Sequence, residues 1–256
     1  MTKICLIGDS HVGALQSGWL AMKHAFPEIE LTTFGAPRTV FAGLDVLDGV
    51  LVPATEKLSA YFRHTTGGQV TIENSYDRYL VCGISWAIRF LLPSLAKFRA
   101  EDHVKSKRVP LSSDCYAHVV LGLMRNSLSM QVLTKLRQIT DRPVTMIPAP
   151  MPSERIPAPI YASLCASGDA GKIAAQFNAA AALLAGECNA GFLEQPMETL
   201  SNPLQSLYLY KRGSVRTFGG NLDIEQGEDD YQHMNAAYGE IVLRAAFAAR
   251  NAEVDP

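Results

Sequence analysis

Short apolar runs alternate with amphipathic stretches along this chain. The first run, residues 4–7, reads Ile-Cys-Leu-Ile and ends at Gly8, a pattern typical of a parallel strand that is covered on both faces. The stretch that follows places apolar residues at alternating spacings of three and four, which predicts a helix with one apolar face. Those apolar residues are Val12, Leu15, Trp19, Met22 and Phe26.

The same alternation continues to the end of the chain. Further apolar runs that stop at glycine or proline predict strands, whereas longer periodic or alanine-rich stretches predict helices. Strands that alternate with helices predict a parallel sheet with helices on both faces. The predicted strands are residues 28–34, 79–83, 144–147 and 191–193, with a short edge strand at 69–74, and the predicted helices lie within 87–115 and at 116–139, 170–187 and 235–251.

The predicted fold class is therefore α/β, a flavodoxin-like three-layer α/β/α sandwich with a mainly parallel five-stranded sheet. In such a sheet, ligands bind at the carboxyl ends of the strands. With 256 residues, of which 48% are hydrophobic, the chain is predicted to form a single domain over residues 1–256. The tyrosine-rich pattern at 207–218 predicts a hairpin insertion around 205–220, which we interpret as a lid over the site.

Composition and charge exclude several classes of partner. A net charge of −2 gives no indication of a nucleic-acid-binding or membrane-binding surface. No segment approaches ~18 consecutive apolar residues, and the first predicted strand starts so close to Met1 that no signal peptide is expected. The five cysteines are scattered and odd in number, which is typical of reduced thiols. We therefore expect a cytoplasmic protein.

A serine, Ser10, follows the first predicted strand at the point where the first helix should begin. Backbone N–H groups are exposed at such a turn, and the positive end of the helix dipole lies behind them. These features suit the build-up of negative charge on a substrate oxygen. Serine is also a common N-cap at this position, so Ser10 is either a nucleophile or a helix cap.

An acidic residue and a histidine precede the last predicted helix. Asp230 and His233 are three residues apart, so the carboxylate can hold one imidazole nitrogen and leave the other free to take a proton from a serine. The alternative is that both residues only cap the helix. The presence of Ser10 at the other end of an α/β chain favours nucleophilic catalysis.

These residues resemble the motifs of the SGNH, or GDSL-type, hydrolase family. Gly8-Asp9-Ser10 is similar to the first block of that family, with His11 where many members carry leucine. Gly35 is similar to the glycine of the second block, and Asp230-x-x-His233 is similar to the last block. The Gly-Asp-Ser-His form resembles the variant found in SGNH domains that are associated with polysaccharide acyl transfer.

The resemblance implies a role for each matched residue. Ser10 would be the nucleophile, His233 the general base and then the general acid, and Asp230 the group that orients the imidazole. The backbone N–H groups of Ser10 and Gly35 would donate hydrogen bonds to the oxyanion. The resemblance implies no cofactor and no metal, and the sequence contains no metal-ligand spacing.

One block of the family is not matched. Where the family carries G-x-N-D, this chain reads Gly83-Ile84-Ser85-Trp86, so the asparagine donor is missing. The hydroxyl of Ser85 could replace it, while Gly35 and Gly83 could serve only to turn the chain. His11 is either a pocket residue or the first solvated residue of its helix, and Arg38 either binds an anionic substrate group or is a surface residue.

Two other motifs fit poorly. Gly8-x-Ser10-x-x-Gly13 has a serine in place of the middle glycine of a dinucleotide-binding fingerprint, and Val12 stands where the G-x-S-x-G nucleophile elbow requires glycine.

The sequence therefore predicts a serine-dependent esterase that acts through an acyl-enzyme on small-molecule or carbohydrate O-acyl esters, with short acyl chains. The alternatives are a cytoplasmic carbohydrate O-acyltransferase and a non-catalytic ligand-binding member of the same fold.

Overall fold

A parallel sheet of five strands forms the centre of the protein. The computed structural model describes residues 1–103, 107–215 and 224–248. The strands of these residues, both inside and outside the central sheet, are β1 (Thr2–Gly8), β2 (Ile29–Gly35), β3 (Leu44–Leu47), β4 (Val50–Pro53), β5 (Arg78–Cys82), β6 (Phe98–Ala100), β7 (Val109–Leu111), β8 (Val144–Ile147), β9 (Gly191–Phe192), β10 (Leu200–Asn202) and β11 (Gln205–Ser206).

The order of the central strands is β2-β1-β5-β8-β9, and each neighbouring pair is parallel. Counted within this sheet alone, the order is the 2-1-3-4-5 of a flavodoxin-like fold. The switch in strand order lies between β1 and β5, so a ligand crevice is expected at the carboxyl ends of these two strands. The predicted fold class is confirmed.

Helices cover both faces of this sheet, which gives the three layers. The helices are α1 (Val12–Met22), α2 (Glu56–Thr66), α3 (Leu92–Leu95), α4 (Ser113–Arg125), α5 (Leu128–Arg137), α6 (Pro159–Ala166), α7 (Ala170–Glu187) and α8 (Ala236–Ala248). Short 3-10 helices are formed by Lys23–Ala25, Arg38–Gly43, Ile88–Phe90, Met197–Thr199 and Tyr208–Tyr210.

The apolar run in β1 serves both of the cores that result. Ile4 and Leu6 pack in one core with residues of α1 and α8, whereas Cys5 and Ile7 pack in the larger core with residues of α2, α5 and α7. Successive side chains of a strand point to opposite faces, so a strand that is covered on both faces requires apolar residues at every position. This is the physical reason for the continuous Ile-Cys-Leu-Ile run.

Two glycines allow α1 and α8 to pack closely. A Cβ at Gly239 would lie 1.9 Å from the carbonyl oxygen of Ala14, and a Cβ at Gly18 would lie 2.4 Å from the backbone nitrogen of Glu240. No side chain fits between the helices at these two points. The contact places the start of α8 beside the start of α1, which is the point where Ser10 lies.

Three predicted elements differ from the structure. The predicted edge strand at 69–74 is reduced to one bridge between Leu51 and Ile72, and the helix predicted within 87–115 is reduced to the single turn of α3, followed by the pair β6–β7. The helix predicted at 116–139 is two helices, because the Ser127 side chain accepts a hydrogen bond from Met130 N–H and so begins α5.

The predicted hairpin around 205–220 also differs where it is described. Gln205–Ser206 pairs with the preceding strand β10, and Tyr208–Tyr210 is a 3-10 helix rather than a strand. The rest of the predicted hairpin, residues 216–220, lies outside the described residues. Among the described helices, none combines the length and the apolar character that a membrane span requires.

Candidate active site

The turn after β1 carries the first candidate residue, Ser10. A Cβ at Gly8 would lie 2.3 Å from the carbonyl oxygen of Cys82, so only glycine allows β1 and β5 to approach at this level. The chain then turns through Asp9, and α1 begins at Val12. Ser10 therefore lies at the carboxyl edge of the sheet, between β1 and β5, where the strand order predicts a ligand crevice.

Ser10, His233 and Asp230 form a continuous hydrogen-bonded row. Ser10 Oγ lies 2.8 Å from His233 Nε2, and His233 Nδ1 lies 2.5 Å from Asp230 Oδ2. The side chains of His233 and Asp230 retain 25% and 19% exposure, so the row is partly shielded but open to a substrate. A neutral imidazole that donates from Nδ1 to the carboxylate has a free acceptor at Nε2 for the serine proton.

Local hydrogen bonds fix the carboxylate of this row. Asp230 Oδ1 accepts from the backbone N–H groups of Gln232 at 2.8 Å and His233 at 3.0 Å. Burial by itself raises the pKa of Asp230, but the hydrogen bonds and charge of His233 outweigh burial, so the pKa lies well below its usual range. Asp230 is therefore ionised at neutral pH and able to stabilise an imidazolium at His233.

The helix-cap interpretations of these residues do not match the geometry. The first residue before α1 is His11, and no side-chain hydrogen bond caps that helix, because the Ser10 hydroxyl contacts His233 instead. At the start of α8, the side chain of Asn235 accepts from Tyr238 N–H at 3.2 Å and so takes the capping position. Asn235 also donates to two carbonyl oxygens of the loop at 209–212, which anchors the segment that carries His233.

His11 is a buried neighbour of His233 rather than a solvated residue. Its exposure is 4%, and its ring stacks on that of His233 with 5.3 Å between centroids and 29° between planes. Among the described residues neither ring nitrogen of His11 has a hydrogen-bond partner. Burial lowers the pKa of His11 well below its usual value, and the nearby charge of His233 lowers it further. His11 is therefore neutral when it packs against His233.

Asp9 is a second buried acid at this turn. Its exposure is 3%, and Oδ1 accepts from His11 N–H at 3.2 Å. Burial raises the pKa of Asp9 from 3.8 to about 6, although the His11 N–H and the charges of Arg89, His233 and Arg38 act in the opposite direction. The sequence motif drew attention to Asp9, but its burial and its arginine neighbours depend on the tertiary structure.

The structure corrects one expected oxyanion donor. The N–H of Gly35 donates to Thr65 Oγ1 at 3.1 Å, so it is already engaged and does not point freely into the crevice. Thr65 lies in α2, which packs over β2. Its contact with Gly35 could not be predicted from the sequence. By contrast, the N–H of Ser10 makes no hydrogen bond with any described residue and lies at the start of α1. It remains the backbone donor that this turn offers to an oxyanion.

The segment after β5 lies against the same turn. Gly83 has φ of +69°, and a Cβ there would lie 2.5 Å from Asp9 Oδ1, so both its backbone angle and its surroundings require glycine. Ile84 has φ of 59°, which a β-branched residue rarely adopts. The N–H of Ser85 donates to Ser129 Oγ at 2.9 Å, and its own hydroxyl makes no hydrogen bond with a described residue. Trp86 is fully buried and belongs to the core.

Two arginines stand near the row, and sequence analysis singled out one of them. The guanidinium of Arg38 lies 4.3 Å from the ring centroid of Phe90, and that of Arg89 lies 5.0 Å from the same centroid. Burial lowers the pKa of Arg89, and the charge of Asp9 acts against this change. The sequence feature that could have indicated Arg89 is its position in the segment after β5, at the carboxyl edge of the sheet.

The arrangement fits acyl transfer through a serine nucleophile. Among residues 1–103, 107–215 and 224–248, no three or more His, Cys, Asp or Glu side chains are grouped as a metal site would require. The side chains that the structure does bring together are a hydroxyl, an imidazole and an ionised carboxylate. Their order and distances are those of a nucleophile, its base and the group that orients the base.

Comparisons with known proteins give likenesses to solved structures at low sequence identity. No family model matches the sequence, and no curated protein matches it. The periplasmic domain of a lipopolysaccharide acetyltransferase from Salmonella ser. Paratyphi A has a TM-score of 0.46 and 12% identity over 97% of this chain and 83% of that chain. Est24, a carbohydrate acetylesterase from Sinorhizobium meliloti, has a TM-score of 0.42 and 12% identity over all of both chains. The function proposed below therefore rests on the geometry of the site.

Proposed function

We propose that this protein is a serine-dependent hydrolase of O-acyl esters that acts through an acyl-enzyme. The observation that carries the proposal is the 2.8 Å contact between Ser10 Oγ and His233 Nε2, with Asp230 on the other imidazole nitrogen at 2.5 Å. These residues come from opposite ends of the chain, and the contact has no role in the capping of either helix. A serine used only for structure would not need an imidazole that a carboxylate holds in place.

In the first half of the reaction, His233 Nε2 takes the proton of Ser10 as Oγ attacks the ester carbonyl carbon. The carbonyl oxygen becomes an oxyanion next to the Ser10 N–H at the positive end of α1. Asp230 stabilises the imidazolium and does not take its proton. When the C–O bond breaks, His233 gives the proton to the leaving alcohol and the acyl group stays on Oγ.

In the second half, water attacks the acyl-enzyme while His233 takes one of its protons. The tetrahedral intermediate then collapses, the proton returns to Ser10 Oγ, and the carboxylic acid leaves. A hydroxyl group of a sugar would follow the same steps in place of water. Hydrolysis and acyl transfer thus share every step up to the acyl-enzyme, and they differ in which acceptor reaches it.

The test is a set of variants measured on a neutral aryl acetate. Ser10→Ala and His233→Ala are each expected to lower kcat/KM by roughly 10³-fold or more, and the double variant little further, because the two residues act as a unit. Ser163→Ala and His24→Ala remove the same groups at exposed positions and are expected to keep wild-type kcat/KM. If Ser10→Ala kept the wild-type kcat/KM, Ser10 would be ruled out as the nucleophile.

Two further measurements separate the related activities. An active-site-directed phosphonate is expected to add one phosphonyl group to Ser10 of the wild type and none to Ser10→Ala, as measured by mass spectrometry of peptides. A protein that only binds ligands would not be labelled. Product analysis with added sugar acceptors then distinguishes the fates of the acyl group, since an esterase releases the same amount of acid with and without the acceptor.

A further inference from the structure

Two arginines, Arg38 and Arg89, stand near the turn that carries Ser10, since the charges of both act on the carboxyl group of Asp9. Arg38 begins the 3-10 helix after β2, and Arg89 lies in the 3-10 helix after β5, so the carboxyl ends of two different strands deliver them. Both guanidinium groups lie within 5.0 Å of the centroid of the Phe90 ring. The ring offers each of them a cation–π contact, and it also brings two like charges together.

The two guanidinium groups share one nearby carboxyl group, that of Asp9, which no other side chain engages with a hydrogen bond among the described residues. Among the described residues, Arg38 and Arg89 form no ion pair and no side-chain hydrogen bond, and both side chains are half-buried. The acids in their surroundings are Asp9, whose pKa is raised to about 6, and Asp230, whose oxygens are engaged by His233. Ionised Asp9 can offset at most one of the two positive charges, so two partly desolvated cations that share one carboxyl group favour an anionic ligand that completes the site.

A cavity lies beside one of these arginines, Arg89. The cavity has a volume of about 120 Å³, and Arg89, Tyr161 and Gln232 line it together with alanine, isoleucine, leucine and proline side chains. Gln232 directly precedes His233 in the chain, so part of the cavity wall belongs to the segment that carries the imidazole. Tyr161 is 1% exposed, and its hydroxyl has no hydrogen-bond partner among the described residues. A phenol without a hydrogen-bond partner and a guanidinium without an ion pair among the described residues thus line one small cavity, which suits a polar ligand group.

We propose that the ester substrate carries an anionic group, a carboxylate or a phosphate, which Arg89 and Arg38 bind beside Ser10. Guanidinium groups match the oxygens of such anions with paired N–H donors, and the Tyr161 hydroxyl at the cavity wall is a further donor without a partner among the described residues. This inference rests on the proposed function, because it assigns a substrate class to the same site. Acylated acidic sugars and acyl esters of hydroxy acids belong to this class.

The test compares two esters of the same shape, 3-acetoxybenzoate and 3-acetoxybenzamide. The wild type is expected to prefer the carboxylate in kcat/KM by roughly tenfold or more, since hydrogen bonds to a charged group are stronger than neutral ones. Arg89→Gln and Arg38→Gln are each expected to reduce this preference at least severalfold, and Arg89→Lys to retain part of it. Arg142→Gln, a change at an exposed arginine, is expected to keep the wild-type preference.

A binding measurement separates this inference from the proposed hydrolysis. In Ser10→Ala, calorimetry is expected to show tighter binding of 3-hydroxybenzoate than of 3-hydroxybenzamide, with inorganic phosphate as a competitor if the site accepts either anion. Loss of this preference in Arg89→Gln supports the anion site even if no ester is hydrolysed. Equal binding of the two ligands by Ser10→Ala, or a preference that both arginine variants keep, would overturn it.

Discussion

Replacement of Asp9 by asparagine tests the electrostatics of the turn that carries Ser10. The carboxyl group is 3% exposed, and its pKa is raised from 3.8 to about 6 because burial disfavours the charged form. Asparagine keeps the oxygen that accepts from His11 N–H and removes the ionisation. The variant Asp9→Asn therefore mimics the protonated acid at every pH.

The expected effect has a definite sign. Between about pH 4 and pH 6 the folded protein holds a proton on Asp9 that the unfolded chain has released, so the free energy of unfolding of the wild type falls as the pH rises through this range. The difference between 3.8 and about 6 corresponds to about 3 kcal/mol, because one pKa unit is worth ~1.4 kcal/mol. Part of this difference is already present at pH 4, so above about pH 6 the stability of Asp9→Asn relative to the wild type should exceed its value at pH 4 by about 2 kcal/mol.

Urea unfolding of both proteins from pH 4 to pH 8 measures this difference directly. Asp230 has a pKa below its usual range, so its stabilising contribution is present above about pH 4 and is common to both proteins. Asp141→Asn removes an exposed carboxylate and serves as the control, with a curve expected to run parallel to that of the wild type. If the curves of Asp9→Asn and the wild type were parallel, or diverged in the opposite direction, the assigned burial of a titrating Asp9 would be refuted.

Two further predictions address the oxyanion donor and the packing of the helices. Ser85→Ala is expected to lower kcat by about tenfold with little change in KM. The Gly35 N–H is already engaged, so the Ser85 hydroxyl would be needed as an oxyanion donor, and that hydrogen bond forms chiefly in the transition state. A kcat within twofold of wild type would exclude Ser85 as an oxyanion donor. Gly239→Ala is expected to destabilise the protein by roughly 1–3 kcal/mol or more in urea unfolding, because the new Cβ meets the Ala14 carbonyl oxygen. Gly122→Ala is the control in α4, where the new Cβ would meet no other atom, and it should stabilise the protein by roughly 0.5–1 kcal/mol. Equal effects of the two substitutions on the free energy of unfolding would contradict the close packing of α1 and α8.

Local features of the sequence determined the elements of the fold. The apolar runs at 4–7 and 144–147 had to be strands covered on both faces, and the structure confirms both within one or two residues. The alanine-rich stretch was predicted at the bounds Ala170–Glu187 that the structure shows. Hydrophobic period and glycine stops carry this information because they depend on neighbours along the chain. Within residues 87–115 the predicted helix is only the single turn Leu92–Leu95, and the strand pair β6–β7 that follows it was not predicted.

The sequence also indicated which residue types would meet at the candidate site. The Asp-x-x-His spacing at 230–233 predicted a contact that is local in the chain, and the strand-to-helix turn predicted the position of Ser10. Their meeting across 223 residues depends on the strand order and on the close packing of α1 and α8. The resemblance in motifs suggested this meeting, but no local pattern requires it.

Only the tertiary structure decided which polar groups are free and which are engaged. The N–H of Gly35 is taken by a hydroxyl from α2, His11 is buried against His233, and Arg89 joins Arg38 at one aromatic ring. These outcomes depend on partners that are distant in the sequence and on the exclusion of water, because desolvation and hydrogen bonding set the state of a polar group. A residue's type and its spacing do not contain that information until the sheet has brought its neighbours into place.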